Sequence, residues 1–283
     1  MAWTERQQAM LHAMGHRVWT QPEPAGPMPA SAPAPAAATA ATAATVATAA
    51  TAAAAVTSAT TPAAAPPRSP ACEPAAATAG AVLGALAWPA LREAVAACRA
   101  CALCESRTQT VFGVGHTQAH WMVVGEAPGE QEDRAGEPFV GPAGQLLDRM
   151  LAALQLTRAA DGPQPPAQRV YIANTLKCRP PRNRNPAAEE LARCEPFLVR
   201  QIELLRPRII LAMGRFAVQA LLRRDEAIGR LRGRVHRYQG VPLIVTYHPA
   251  YLLRNLPDKA RAWEDLCLAA RVAEQGGGQD GSP

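Results

Sequence analysis

Between Glu23 and Arg68 the 283-residue chain has no charged residue and no aromatic one. The stretch is almost wholly Ala, Thr and Pro, and its only branched apolar residues are Val46 and Val56. Ala and Thr methyl groups bury too little area to offset the entropy of ordering a backbone, which excludes a packed core there. Residues 21–85 therefore read as a disordered low-complexity linker. Residues 86–272 are left as one domain of ordinary size, followed by a disordered tail at 273–283.

Leucine-type runs are missing as well. The first twenty residues mix Glu5, Arg6, Gln7, Gln8, His12, His16 and Arg17, which does not suit a secretory leader. The Ala/Thr run is long enough to cross a bilayer but lacks the Leu, Ile, Val and Phe that drive insertion. The expectation is a bacterial cytoplasmic protein with no membrane partner. Lysine is scarce: Lys177 and Lys259 are the only two among 29 basic residues. Up to residue 85, Arg6, Arg17 and Arg68 balance Glu5, Glu23 and Glu73, so the net charge of +6 falls on the folded part. That excess favours a polyanionic partner. At the N-terminus, Met10, Leu11 and Met14 lie at helical spacing, and residues 1–20 read either as an unstructured terminus or as a short docking peptide for a protein partner.

Within the domain, apolar runs alternate with helical patterns. Trp121–Gly125, Val170–Asn174, Pro207–Met213 and Val241–Tyr247 read as buried strands. Helices are expected over Ala90–Glu105, Ala143–Leu154, Pro186–Leu205, Phe216–Leu222 and Trp263–Val272. This order predicts a three-layer α/β/α fold around a central, mostly parallel, four-stranded sheet. In such a sheet the ligand lies beyond the carboxyl ends of the strands. The segments Gly125–Gly129, Asn174–Pro181 and His248–Arg254 should therefore meet in one crevice.

Seven cysteines in a cytosolic chain point to metal ligands or core thiols rather than disulfides. Cys98, Cys101 and Cys104 follow one another at three-residue spacing, which on a helix keeps the sulfurs on nearly one face. Cys178 and Cys194 follow later. On spacing alone these two are either core thiols or the remote half of a four-thiolate set for an iron–sulfur cluster or a zinc ion.

The linked blocks are Gly125-Glu-Ala-Pro-Gly-Glu-Gln-Glu-Asp133, Gly136-Glu-Pro-Phe-Val-Gly-Pro-Ala-Gly144, Asn174-Thr-Leu-Lys-Cys-Arg-Pro-Pro181 and His248-Pro-Ala-Tyr-Leu-Leu-Arg254. In this order, with Cys98 and Cys101 ahead of them, they closely resemble the family 4 (iron–sulfur) uracil-DNA glycosylases from about Cys98 to Leu268. The resemblance implies a [4Fe–4S] cluster on Cys98, Cys101, Cys178 and Cys194, with Cys104 spare. The implied activity is hydrolysis of the bond between uracil and deoxyribose in single- or double-stranded DNA.

It implies further that Phe139 stacks on the flipped base and that His248 stabilises the departing anion. Asn174 pairs with uracil O4 and N3–H and rejects cytosine, whose pattern is reversed. Ala127 stands where another branch of the superfamily carries Asp, which leaves Glu126 to position the water. Glu132 is expected to line the pocket near uracil C5, and Glu130 and Asp133 to lie in solvent. Leu252, Leu253 and Arg254 suit a wedge in the minor groove, and Arg179, Arg182 and Arg184 suit phosphates. A base-flipping site needs one chain, so a monomer is expected. Two other readings stand beside this one: a non-catalytic iron–sulfur module that binds uracil in DNA, and a zinc-stabilised nucleotide-binding domain.

Overall fold

The computed structural model describes residues 83–276. The proposed docking peptide at 1–20, almost all of the linker at 21–85, and residues 277–283 of the tail lie outside the described residues. The four expected strands form as short runs buried along their whole length or nearly so: β2 (Trp121–Gly125), β3 (Val170–Asn174), β4 (Ile209–Met213) and β6 (Val241–Thr246). All are parallel, paired β3-β2-β4-β6.

The sheet has six strands rather than the expected four. β1 (Val114–Gly115) joins the free edge of β3 and β5 (Val235–Tyr238) joins β6, both antiparallel. Neither strand carries an apolar run. β1 is two residues long, and β5 alternates exposed and half-buried positions along Val-His-Arg-Tyr.

Strand side chains alternate between faces, so each residue set builds its own core. Met122, Val124, Tyr171, Ala173, Ile210, Ala212, Leu243 and Val245 pack with Leu198, Ile202 and Leu205 of α5 (Ala188–Leu205) and with Ala217, Val218 and Leu221 of α6 (Arg215–Leu222). On the other face, Trp121, Val123, Ile172, Ile209, Leu211 and Ile244 pack with Leu147 and Leu151 of α4 (Pro142–Ala153) and with Leu266 and Ala269 of α9 (Asp258–Gly276). Both faces of the parallel strands are thus covered, which gives the three-layer α/β/α architecture.

The expected helix over Ala90–Glu105 is two pieces. α1 spans Trp88–Ala96, and the short α2 spans Leu103–Ser106. Cys98 and Cys101 fall in the turn between them and Cys104 in α2, so the three sulfurs do not share one helix face. α9 begins five residues earlier than expected and runs to Gly276, so residues 273–276 are helical. The remaining short helices are α3 (Glu130–Ala135), α7 (Ile228–Leu231) and α8 (Pro249–Leu252).

One buried carboxylate locks the last helix to the sheet. Asp265, fully buried on α9, accepts from Thr246 Oγ1 at 2.9 Å, the Gly233 N–H at 3.1 Å and Arg232 Nε at 3.0 Å. Removing one partner of a buried, hydrogen-bonded pair leaves the rest unsatisfied. Asp265→Ala should therefore lower unfolding stability by about 3 kcal/mol, read as a drop in the urea midpoint at unchanged slope.

Candidate active site at the carboxyl ends of the strands

β2 and β3 end in register, with Gly125 beside Asn174. Gly125 must be glycine for a steric reason. A Cβ there would lie 2.4 Å from Asn174 Oδ1 and 2.7 Å from Phe139 Cζ, closer than real Cβ contacts come. The Phe139 ring stacks on the His248 imidazole, with ring centres 5.3 Å apart and planes 28° from parallel. Asn174 and His248 therefore meet at the strand ends, where their segments were expected to converge, and Phe139 joins them from the loop before α4.

Asn174 is buried, and its Oδ1 is the one buried side-chain N or O among the described residues without a hydrogen-bond partner. Such an atom costs free energy unless a ligand supplies the donor. His248 is the N-cap of α8, and its Nδ1 accepts the Ala250 N–H at 3.2 Å. That bond leaves the proton on Nε2. Burial pushes the imidazole down to about 4, despite the nearby Glu132 carboxylate, so at neutral pH the ring is an uncharged Nε2–H donor.

Phe139 sits at φ +56°, a strained conformation for an aromatic residue. The loop around it is held by Glu132, whose carboxylate accepts the N–H groups of Gly129 at 3.0 Å, Val140 at 3.1 Å and Gly141 at 3.2 Å. The structure thus places Glu132 as the brace of the Phe139 loop, close enough to His248 to act on its charge. Gly144 completes the fit: a Cβ there would fall 1.7 Å from the Phe139 carbonyl oxygen.

Glu126 follows Gly125, with its backbone carbonyl held by Thr175 Oγ1 and by the Leu176 N–H at 3.1 Å. Burial raises its carboxyl above the ordinary range, and the Arg215 guanidinium opposes the shift. Arg215 was not singled out from the sequence; it opens α6 just past the end of β4, the strand beside β2. The Ala127 methyl packs toward Leu103, Leu176 and Cys178, on the cysteine side of the loop. Glu130 is exposed as expected, but Asp133 is buried and accepts the Thr108 N–H at 3.0 Å.

After His248, Leu252 is buried and Leu253 is 41% exposed, so only the second can act as a wedge. Leu256, absent from the motif reading, is 61% exposed on the same loop. Tyr247 stacks on Tyr251, whose hydroxyl donates to Asp258 Oδ2 at 2.7 Å and ties the loop to α9. Arg254 is exposed and near enough to His248 to disfavour its charged form. Arg179 and Arg184 are less free than expected. Arg179 bonds Asn183 Oδ1 at 2.8 Å and Glu130 at 3.3 Å, and Arg184 bonds Glu190 at 2.9 Å.

Cys98, Cys101, Cys104, Cys178 and Cys194 line one pocket with Arg107 and Lys177. Among the described residues no three His, Cys, Asp or Glu side chains converge as a ready single-ion site. Donors point at the sulfurs: Arg107 Nη1 to Cys178 Sγ at 3.0 Å and the Lys177 N–H to Cys194 Sγ at 3.2 Å. Burial raises the thiols of Cys101 and Cys178 and lifts Cys194 to about 12. An iron or zinc centre would bind them as thiolates. Five sulfurs in one pocket, with the Arg107 guanidinium and the Lys177 backbone N–H donating to two of them, fit such a centre. Arg107 could not be found from spacing, because it reaches Cys178 across 71 residues of chain.

A ring to stack on, an unpaired amide oxygen and a neutral imidazole donor together suit a planar, polar ligand. The model of the uracil DNA glycosylase superfamily matches residues 112–267. A Type-4 uracil-DNA glycosylase of Archaeoglobus fulgidus is 44% identical over 167 residues, 56% of this chain and 79% of that protein. Type-4 uracil-DNA glycosylases of Pyrobaculum aerophilum (63% and 90% covered) and Thermotoga maritima (60% and 84%) are each 41% identical. The chain belongs to the uracil DNA glycosylase superfamily, on its type-4 side. The superfamily match holds the base site, Cys178 and Cys194, and begins after Cys98 and Cys101.

The crowding at Gly125 generates a prediction. Gly125→Ala should reduce kcat/KM at least about a hundredfold by displacing Asn174 or Phe139, with a smaller effect on the thermal midpoint, measured by single-turnover kinetics beside a melting curve.

Proposed function

We propose that this chain flips uracil out of DNA and hydrolyses its N-glycosidic bond, leaving an abasic site for base excision repair. The observation that carries the reading is the unpaired Asn174 Oδ1 beside the Phe139–His248 stack. Extruding a base costs a few kcal/mol. Stacking on Phe139 returns about 1–3 kcal/mol. Asn174 Oδ1 accepts from N3–H while the amide nitrogen donates to O4, a pattern that uracil meets and cytosine does not.

As the glycosidic bond lengthens, negative charge grows on the base and positive charge on the sugar. His248, neutral with its proton on Nε2, donates to O2 where that charge develops, and so acts on rate more than on binding. Glu126 as carboxylate orients the attacking water and faces the cationic sugar. Leu253 fills the space left in the stack, Arg254 contacts the backbone, and Arg179 meets phosphate after exchanging Glu130 for it. Among the described residues no amine is placed for a lyase step. Lys177 is fully buried and held, and Lys259 lies on α9.

Cys98, Cys101, Cys178 and Cys194 hold a [4Fe–4S] cluster in this reading, with Cys104 in the same wall as an unused fifth thiol. When bound, the cluster supplies a rigid cross-link between the α1–α2 turn, the segment after β3 and α5. Zinc has the same ligand chemistry, and bound iron with a brown absorption band decides between them. Cys178→Ser should lose iron and colour together and melt at lower temperature.

The test of function is an end-labelled oligonucleotide carrying one uracil. Strand scission after hot alkali, and none before it, is expected. A protein that retards the uracil strand on a native gel but never yields alkali-labile sites would instead be a binding module.

The pH dependence follows from the two shifted groups. Glu126 must be ionised, so kcat/KM should fall as pH drops through its raised value. His248 is already neutral above about 4 and adds no limb there. Glu126→Gln should remove the acid limb and leave a slow, nearly flat profile; an unchanged limb would reassign the water-positioning role.

A further inference from the structure

Lys177 is buried out of reach of solvent, with its ammonium inside the protein rather than on the DNA surface. Its Nζ donates to the Asn174 backbone carbonyl at 2.8 Å and to Gln201 Oε1 at 2.7 Å. Gln201, fully buried on α5, is itself held, with Nε2 donating to the Phe112 carbonyl at 2.9 Å and to the Tyr171 hydroxyl at 3.3 Å. On the other side of the Asn174–Thr175 peptide, the Thr175 N–H donates to the Gly125 carbonyl at 3.0 Å. The peptide plane that follows Asn174 is thus gripped at both ends, its oxygen by Lys177 and its N–H by β2. That grip fixes the backbone from which the base-reading amide projects. The β-ladder does not supply the first half of it, because β1 pairs only with Tyr171 and Ile172 of β3 and stops short of Asn174.

We propose that Lys177 is a positioning residue for uracil recognition: with Gln201 as its anchor, it sets the orientation of Asn174. The inference rests on the reading of Asn174 as the base-reading group. A buried ammonium costs desolvation that a methionine of similar length would avoid. Lys177 makes in exchange a bond that no apolar residue can make. Lys177 also joins the base site to the sulfur-lined pocket, since its N–H donates to Cys194 Sγ and its chain continues into Cys178. Loosening the pocket should therefore loosen Asn174.

The test is a double-mutant cycle in the full chain, with iron content measured for every variant. Lys177→Met and Gln201→Ala are each combined with Asn174→Ala. Binding is read as Kd for a non-cleavable uracil-containing duplex and for its cytosine counterpart, and turnover as kcat and KM. Each single variant should lose about ten- to a hundredfold in kcat/KM and a large part of its preference for uracil over cytosine. In the Asn174→Ala background the same changes should cost almost nothing further, since residues that act through one another are not additive.

Losses that persist at full size beside Asn174→Ala, or an unchanged uracil preference in both single variants, would overturn the proposal. If Lys177→Met fails to fold, Gln201→Ala carries the decision, because it removes the anchor and leaves the lysine in place. If the wild-type chain binds uracil DNA without excising it, the glycosylase reading fails. The cycle in Kd still decides the role of Lys177.

Discussion

Close approach at the end of β2 is the constraint on which the site depends. The parallel register brings Gly125 against Asn174, and the absence of a side chain at Gly125 lets the Asn174 amide and the Phe139 ring enter the same space. The sheet supplies the precision. β2 and β3 are buried throughout, so their carboxyl ends cannot shift without disturbing both covering layers. The loops supply chemistry on that fixed base, and each is held by its own polar device. Glu132 ties the Phe139 loop through three backbone N–H groups, Lys177 grips the peptide after Asn174, and the Ala250 N–H fixes the His248 ring.

The electrostatics of the site follow from the same burial. A histidine in water is half charged near neutral pH, and as a cation it would bind the base before reaction as well as during it. Here burial holds His248 neutral down to about 4, so its donor meets substantial charge only when the base leaves. Glu126 is shifted the other way from its reference, toward the neutral form, yet keeps Arg215 near it to favour ionisation. Two groups of opposite charge type are thus both pushed toward neutrality by one apolar setting. Each has one opposite charge that offsets part of the push, Arg215 for Glu126 and Glu132 for His248.

The four central strands were legible because a strand covered on both faces must be apolar throughout, as Trp121–Val124 and Ile209–Met213 are. The edge strands were not. β5 is exposed on alternate residues and includes His236 and Arg237, and β1 exists only through its pairing with β3. The three-residue spacing of Cys98, Cys101 and Cys104 suggested a helix face, but the chain turns after Ala96, so Cys98 and Cys101 meet the pocket from a turn and Cys104 from α2. Asn174 and His248 were legible through linked motifs rather than through local chemistry. A strand-end Asn or a His-Pro pair alone is ordinary.

What the sequence hid most completely is the second layer of support. Glu132 reads as one acid among four neighbours, and nothing local shows that its oxygens face three backbone donors several residues on. Lys177 reads only as one of two lysines, next to a cysteine. Its partners are a carbonyl three residues back and an amide on α5, 24 residues away, and only the packed fold brings them together. The two lysines of the chain therefore differ sharply in meaning. Where Arg serves almost every surface need, a Lys in the core is informative: its one ammonium reaches both the Asn174 carbonyl and Gln201 Oε1. The scarcity of lysine, read first as a matter of composition, ends as a pointer to the residue that joins the sulfur-lined pocket to the base site.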